Sequence, residues 1–267
     1  MAVSLPFHSI KKKILKNYYK VVYEDRISIV PTSLIEDATH FKSLCTILKE
    51  DFEIYCRYDI LTGKIIDAAK SEFNKHNIFF NQSVDNGFVL IRSDRIRDET
   101  VYEIGGDAVV VARGFAKANL SDRAKGYAYN NTVLRAYCFS SLMAFDHAAI
   151  SAFGNTYIDA HDRCSVRADG CSYVTAYDNC NVRAMGYSRV DARGKTKVVC
   201  MFRSVVSATD DVYVEAQGMS YVYIWNNISF NLKEKAILHD KDSNTIYYSD
   251  KNTAFKNVKS MDANSCP

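Results

Sequence analysis

Among the residues able to carry chemistry, His161 and Asp159 come first, two residues apart in "YIDAHD". Arg135 and Arg183 stand at equal intervals on either side of Asp159. A carboxylate beside an imidazole could serve as an acid–base pair, with the two guanidiniums clamping an anion. The simpler reading is a surface charge ladder, since exposed ion pairs are common and worth little. We adopt the simpler reading. The aspartates that recur in turn positions raise the question of calcium. Calcium-binding β-rolls need a period of nine with paired Gly and Asp, whereas Gly and Asp alternate here at a period of eight. "LTGK" at 61–64 lacks the glycine and spacing of a phosphate-binding loop. His8, His40, His76, Cys45 and Cys56 are scattered and form no nucleophile–base signature. The expectation is therefore no catalytic residue, no cofactor and no metal.

The elements that must position these residues are set by a repeat. Alanine returns every eighth residue at Ala128, Ala136, Ala144, Ala152, Ala160, Ala168, Ala176, Ala184 and Ala192, with Cys200, Ala208 and Ala216 continuing the series. Two residues after each comes mostly Gly, Asp or Asn. Four after comes a small residue, and six after a branched one such as Val166, Val174 or Val182. The small, branched and alanine slots lie two apart and so share one face of a strand. The Gly/Asp/Asn slot suits a turn with left-handed backbone. A period of eight does not keep one face of an α-helix. A single strand cannot bury its valine alone, but stacked copies share a continuous core.

The fold class expected is mainly β: a parallel β-solenoid with a small N-terminal α+β domain. Charges in the outward slots favour triangular coils of three octads, because two octads per coil would set Arg167 directly on Arg183. Sixteen octads then give about five coils, roughly 25 Å long at ~4.8 Å per coil. Three-octad stacking also aligns Tyr129, Phe153, Tyr177, Met201 and Trp225 in one ladder. Tyr173, Tyr221 and Tyr223 share that face. These eight form the expected interaction surface, because large exposed apolar patches mark contact sites and Tyr and Trp suit them. Base stacking is a minor option, with only Lys125 and Lys197 flanking the ladder.

The domains expected are an N-terminal α+β cap over 1–103, the octad solenoid over 104–231 and a C-terminal cap or irregular coils over 232–267. In the first, "SIKKKILKNYYKVVYE", "SLIEDATHFKSLCTILKEDF" and "TGKIIDAAKSEFNKHN" have helical spacing, the last opened by Thr62 as a cap. "RISIV", "NIFFN" and "GFVLIRS" read as strands, and "AILHD" with "TIYYSD" as a closing hairpin. Of 267 residues 48% are hydrophobic and only three are proline, which fits a folded chain. A net charge of +3 is too small to imply nucleic acid on its own. No run reaches the roughly 18 apolar residues of a membrane span, and the N-terminal residues lack the apolar core of a signal peptide. The eight cysteines have no CxxC pair and several fill small slots of the repeat, which suggests a reducing compartment and a cytoplasmic protein.

With the repeat in hand, "AYDNCNVRAMGYSRVDA" resembles the A-x-[GD]-x-[AST]-x-V-x octad arrays of uncharacterised β-solenoid proteins from phages, mobile elements and gut bacteria. The resemblance covers residues 104 to about 231. It implies architecture and a phage or mobile-element setting, hence host cytoplasm, and carries over no catalytic residue. The leading expectation is a non-enzymatic protein-interaction module, such as an accessory factor or an inhibitor of a host system. The alternatives are a homo-oligomeric structural component of a phage or envelope, and an enzyme with its site where the N-terminal domain meets the first coils.

Overall fold

The computed structural model describes residues 5–24, 32–226, 228–249 and 255–259. The strand expected at "RISIV" and Cys266 lie outside the described residues. The chain divides into two compact units, 1–132 and 133–267. The parallel β-solenoid is present, with about nine turns counted over both units.

The first unit opens with six helices: α1 (Phe7–Tyr23), α2 (Thr32–Asp37), α3 (Phe41–Glu50), α4 (Phe52–Arg57), α5 (Gly63–Ala68) and α6 (Lys70–Lys75). Helix α1 buries Ile10, Ile14, Tyr18 and Val21, which helical spacing puts on one face. The single helix expected over "SLIEDATHFKSLCTILKEDF" is two, α2 and α3, with α4 starting at its last residue. His40 leaves the helical region and caps α3, its Nδ1 accepting the Ser43 N–H at 3.1 Å. Asp51 then breaks the chain again between α3 and α4. Thr62 caps α5 as expected, its Oγ1 accepting the Ile65 N–H at 3.4 Å. Gly63 is required there, because a Cβ would fall about 2.1 Å from the Phe80 ring.

Strands β1 (Ile78–Phe80), β2 (Phe88–Ser93), β3 (Val101–Ile104), β4 (Val109–Gly114), β5 (Lys117–Leu120) and β6 (Lys125–Ala128) complete this unit. Strands β1, β2, β4 and β6 are neighbours in one parallel sheet, and β3 pairs with β5 in another. "NIFFN" and "GFVLIRS" are thus parallel strands continuous with the repeat, with Ile91 opposite Ala112. Arg113 on β4 ties this sheet to the helices. Its guanidinium donates to the Cys56 carbonyl at 2.8 Å and to Asp59, which also accepts from Arg92 at 3.0 Å.

In the second unit the strands are β7 (Val133–Ala136), β8 (Ser141–Ala144), β9 (Ala149–Ala152), β10 (Tyr157–Ala160), β11 (Ser165–Ala168), β12 (Tyr173–Ala176), β13 (Asn181–Ala184) and β14 (Arg189–Ala192). They continue as β15 (Lys197–Cys200), β16 (Val205–Ala208), β17 (Tyr213–Ala216), β18 (Tyr221–Ile224), β19 (Ser229–Leu232), β20 (Ile237–Asp240), β21 (Thr245–Ser249) and β22 (Phe255–Lys259). The odd strands β7 to β19 form one parallel sheet and the even strands β8 to β20 the other. The repeat, expected to end near 231, runs on through β20. "AILHD" and "TIYYSD" then make the expected hairpin, β20 antiparallel to β21, and β22 adds to it.

Each strand pairs with the next but one. Val166 lies opposite Val182, and Arg167 opposite Arg183. A coil therefore holds two octads, and the triangular coil of three is corrected. The inward slots explain the choice. Each octad supplies one branched and two small inward side chains, such as Val182, Ala184 and Cys180, all buried. Such side chains fill the thin space between two close sheets. Three sheets would enclose a wider interior and leave voids, at about 24 cal/mol per Å³ of cavity. An exposed like-charge contact costs only a few tenths of a kcal/mol, about an order less than a poorly filled core.

The turns fix the stacking. Every turn residue from Gly106 to Glu234, at intervals of eight, has positive φ, including Cys138 at 59° and Phe202 at 61°. Two octads per coil put the turns on two edges. One edge of the second unit stacks Gly154, Gly170 and Gly186; the other stacks Asp146, Asp162 and Asp178. A Cβ on Gly170 would come within 2.9 Å of the Gly154 nitrogen, which favours glycine at that position, although Cys138 and Phe202 fill the same slot elsewhere on that edge. On the other edge each aspartate accepts a backbone N–H from the coil before: Asp146 N–H to Asp162 Oδ2 and Asp162 N–H to Asp178 Oδ2, both 3.0 Å. Hydroxyls in the small slot close the turns, as where Ser172 donates to the Asp169 carbonyl at 2.9 Å and Thr196 to that of Arg193 at 2.7 Å.

Cysteines fill space in this core. Burial pushes the Cys45 thiol from its ordinary 9.0 up to about 12, and Cys200 up to about 11. An acid whose pKa is raised by folding supports the fold fully below its unfolded value. That contribution is lost as pH rises through the folded value. Stability measured by urea unfolding should therefore fall between pH 9 and 12, and the Cys45→Ala/Cys200→Ala double variant should lose less over that window. An equal loss would contradict the burial account.

Candidate functional site

The eight residues expected to form one aromatic face are distributed over several. Tyr129, in the first unit, is buried: its hydroxyl meets Glu53 and the Arg57 guanidinium lies 5.1 Å from its ring centre. Burial, then the Glu53 contact, push its hydroxyl pKa well up. Tyr129 is a structural anchor. In the second unit Phe153 and Met201 follow odd strands, while Tyr177 and Trp225 follow even strands, so the two pairs sit on opposite edges. Tyr173, Tyr221 and Tyr223 lie on the outward face of the even sheet. The single ladder is thus corrected. It required residues 24 apart to stack, and residues 16 apart do so.

Three shorter ring stacks replace it, one of them Phe153 on Tyr137 at 5.3 Å. Phe145, His161 and Tyr177 stack with centroids 5.1 and 4.7 Å apart, and the Arg193 guanidinium lies 5.7 Å from the Tyr177 ring. Tyr157 stacks on Tyr173 at 4.8 Å, and the Tyr173 hydroxyl donates to Asp191 at 3.1 Å. Burial and that bond raise the Tyr173 pKa. His161 Nε2 is 3.6 Å from Asp159 Oδ1, beyond hydrogen-bonding distance. Arg135 and Arg183 do not join this pair, since they belong to the odd sheet and Asp159 to the even one. The acid–base and anion-clamp constellation is not assembled.

The same correction assembles something the sequence reading split between faces. Outward positions of the odd strands β7 to β15 are Val133, Arg135, Ala149, Ser151, Ser165, Arg167, Asn181, Arg183, Lys197 and Val199. Four are cations and none is an anion. Arg167 and Arg183 are register partners one coil apart, which is about 4.8 Å. Lys197 is the partner of Asn181, one coil further, with its ammonium 5.7 Å from the Tyr213 ring centre. Among the described residues no ion pair joins any of the four cations to a carboxylate. The first acid on this sheet is Glu215, which takes Lys233. Small side chains between the cations leave a shallow open groove of about 400 Å³.

The even sheet is different in kind. Its outward charges are Asp159, Arg189 and Asp191: the two acids share one row with Thr175 between them, and Arg189 stands in the neighbouring row. The even sheet carries both signs, while the odd sheet from β7 to β15 presents net positive charge. The signal for this in the sequence was the turn slot, where Gly154, Gly170 and Gly186 interleave with Asp162 and Asp178 at a period of sixteen. Among the described residues no group of three His, Cys, Asp or Glu is placed to hold a metal ion, and no helix is long and apolar enough to cross a membrane. Compared with protein-family models, curated proteins and solved structures, the chain gives no match.

Stacked arginines without a counter-charge must repel. Wild-type stability should rise with added salt through screening. Arg183→Gln should start higher by about a few tenths of a kcal/mol and respond less to salt. Denaturant unfolding across a salt series checks this, and an unchanged salt response in the variant would show the charges to be compensated.

Proposed function

We propose that this chain is a non-enzymatic protein-interaction module whose contact surface is the outward face of β7 to β15. The observation that carries the reading is the column of Arg135, Arg167 and Arg183 with Lys197 beside it, with no carboxylate partner among the described residues. The sheet fixes the spacing of the guanidinium stems, so complementary charge on a partner meets cations at set intervals. The resemblance of the octads to phage and mobile-element arrays supports a role as an accessory factor or inhibitor acting on a protein of the host cytoplasm.

A second reading, homo-oligomeric assembly, is favoured by Phe202. This residue stands at φ 61° in a slot otherwise filled mainly by Gly, Asp and Asn, and it is 63% exposed. A left-handed phenylalanine costs about 1 kcal/mol or more without burying its own ring. Tyr187 and Met219 flank it around an apolar hollow of about 360 Å³.

The experiment is capture of partners by wild type and by Arg167→Glu/Arg183→Glu, with Arg189→Glu on the even sheet as control. A captured protein, remade and shown to bind directly, should be lost by the double variant and kept by the control. Loss by the control alone would move the surface to the even sheet. Mass measured across a concentration series decides the second reading: a rise abolished by Phe202→Gly would establish it, and a constant monomer mass would remove it.

A further inference from the structure

The geometry points to the ligand of the odd face: an extended acidic polypeptide segment, its carboxylates seated on Arg135, Arg167, Arg183 and Lys197. This inference rests on the reading that the odd face is the contact surface. Charge is the first argument. The ten outward positions from Val133 to Val199 hold four cations and no anion, and the ligand must supply the missing sign.

Spacing is the second. Arg135 lies two coils from Arg167, Arg183 one coil beyond it, and Lys197 one coil beyond that. At ~4.8 Å per coil the four cations span about 20 Å. Carboxylates on alternate residues of an extended chain recur every ~6.8 Å, within reach of long Arg and Lys arms along this line. Arg167 and Arg183 are close enough to hold one carboxylate between them, each guanidinium donating N–H groups to it.

The floor is the third argument. Ala149, Ser151 and Ser165 are small, so a ligand backbone can approach the sheet, and the Asn181 amide can donate to or accept from a peptide group. These features favour a polypeptide over a single-stranded nucleic acid. Non-specific single-strand binding combines basic charge with rings that stack bases. None of the ten outward positions of the odd strands from Val133 to Val199 is aromatic, and the next outward ring, Tyr213, lies against Lys197 at one end.

Fluorescence anisotropy tests this with the full chain and three labelled probes: a peptide of alternating Glu and Ser, the same peptide with Lys for Glu, and an oligothymidylate. Each is about eight units long, enough for a peptide to span the cations at ~3.4 Å per residue. The acidic peptide should bind, more weakly as salt rises, and the basic one should not. Arg167→Gln/Arg183→Gln should weaken binding about tenfold or more, and Arg189→Gln on the other sheet should not. Circular dichroism confirms that each variant is folded, and Arg135→Gln/Lys197→Gln gives an independent variant on the same face. Tighter binding of the oligothymidylate than of the acidic peptide would overturn the assignment. So would peptide binding that survives both double variants, or no peptide binding at all. In the last case, a captured partner still lost by Arg167→Glu/Arg183→Glu would leave the contact surface standing and remove only the ligand class.

Discussion

The register of sixteen residues is the constraint on which the rest of this structure depends. It is held at three levels. Main-chain bonds pair each strand with its equivalent one coil away. Turn aspartates accept the N–H of the equivalent turn residue in the coil before. Inside, valine meets valine and alanine meets alanine, so the buried surfaces repeat from coil to coil. A slip by one residue would expose every valine, and a slip by one octad would put a small residue's edge partner on the wrong sheet.

With that register fixed, the surface has little freedom. Any residue type that recurs at sixteen becomes a column, and a column of like charge cannot be relieved by bending away. On the even sheet Thr175 separates Asp159 from Asp191 in their row, and the Tyr173 hydroxyl donates to Asp191. The odd sheet leaves Arg167 on Arg183. The cost is small because both side chains are exposed and screened, while the register beneath them is worth far more. A rigid row of unmatched cations is thus stable enough to exist and charged enough to attract.

The octad read directly as a strand and a turn, because alternation and turn chemistry are local. Strand positions, left-handed turn slots and the closing hairpin follow from it. How many octads close a coil is a long-range property. Outward charge, worth tenths of a kcal/mol, pointed to three; the size of the inward side chains, worth much more, demands two. That one choice scattered the aromatic ladder and separated His161 from Arg135 and Arg183. It also hid the basic column, although the interleaved Gly and Asp turns carried the period of sixteen. In the N-terminal unit the helices were legible by periodicity. Their breaks at His40, Asp51 and Ala69 were not, since those depend on caps and packing rather than on pattern.

The most direct measurement is disulfide trapping across the coil. With Cys138, Cys171 and Cys266 replaced by Ser, Ser165→Cys/Asn181→Cys places two thiols on register partners. Neighbouring strands at ~4.8 Å bring their Cα atoms within the range a disulfide bridges. Ser165→Cys/Arg189→Cys places them on opposite sheets, at the spacing a three-octad coil would require. The account predicts ready intramolecular oxidation in the first variant and none in the second. Oxidation of the second and not the first would contradict the two-octad coil, and with it the column of Arg167 and Arg183.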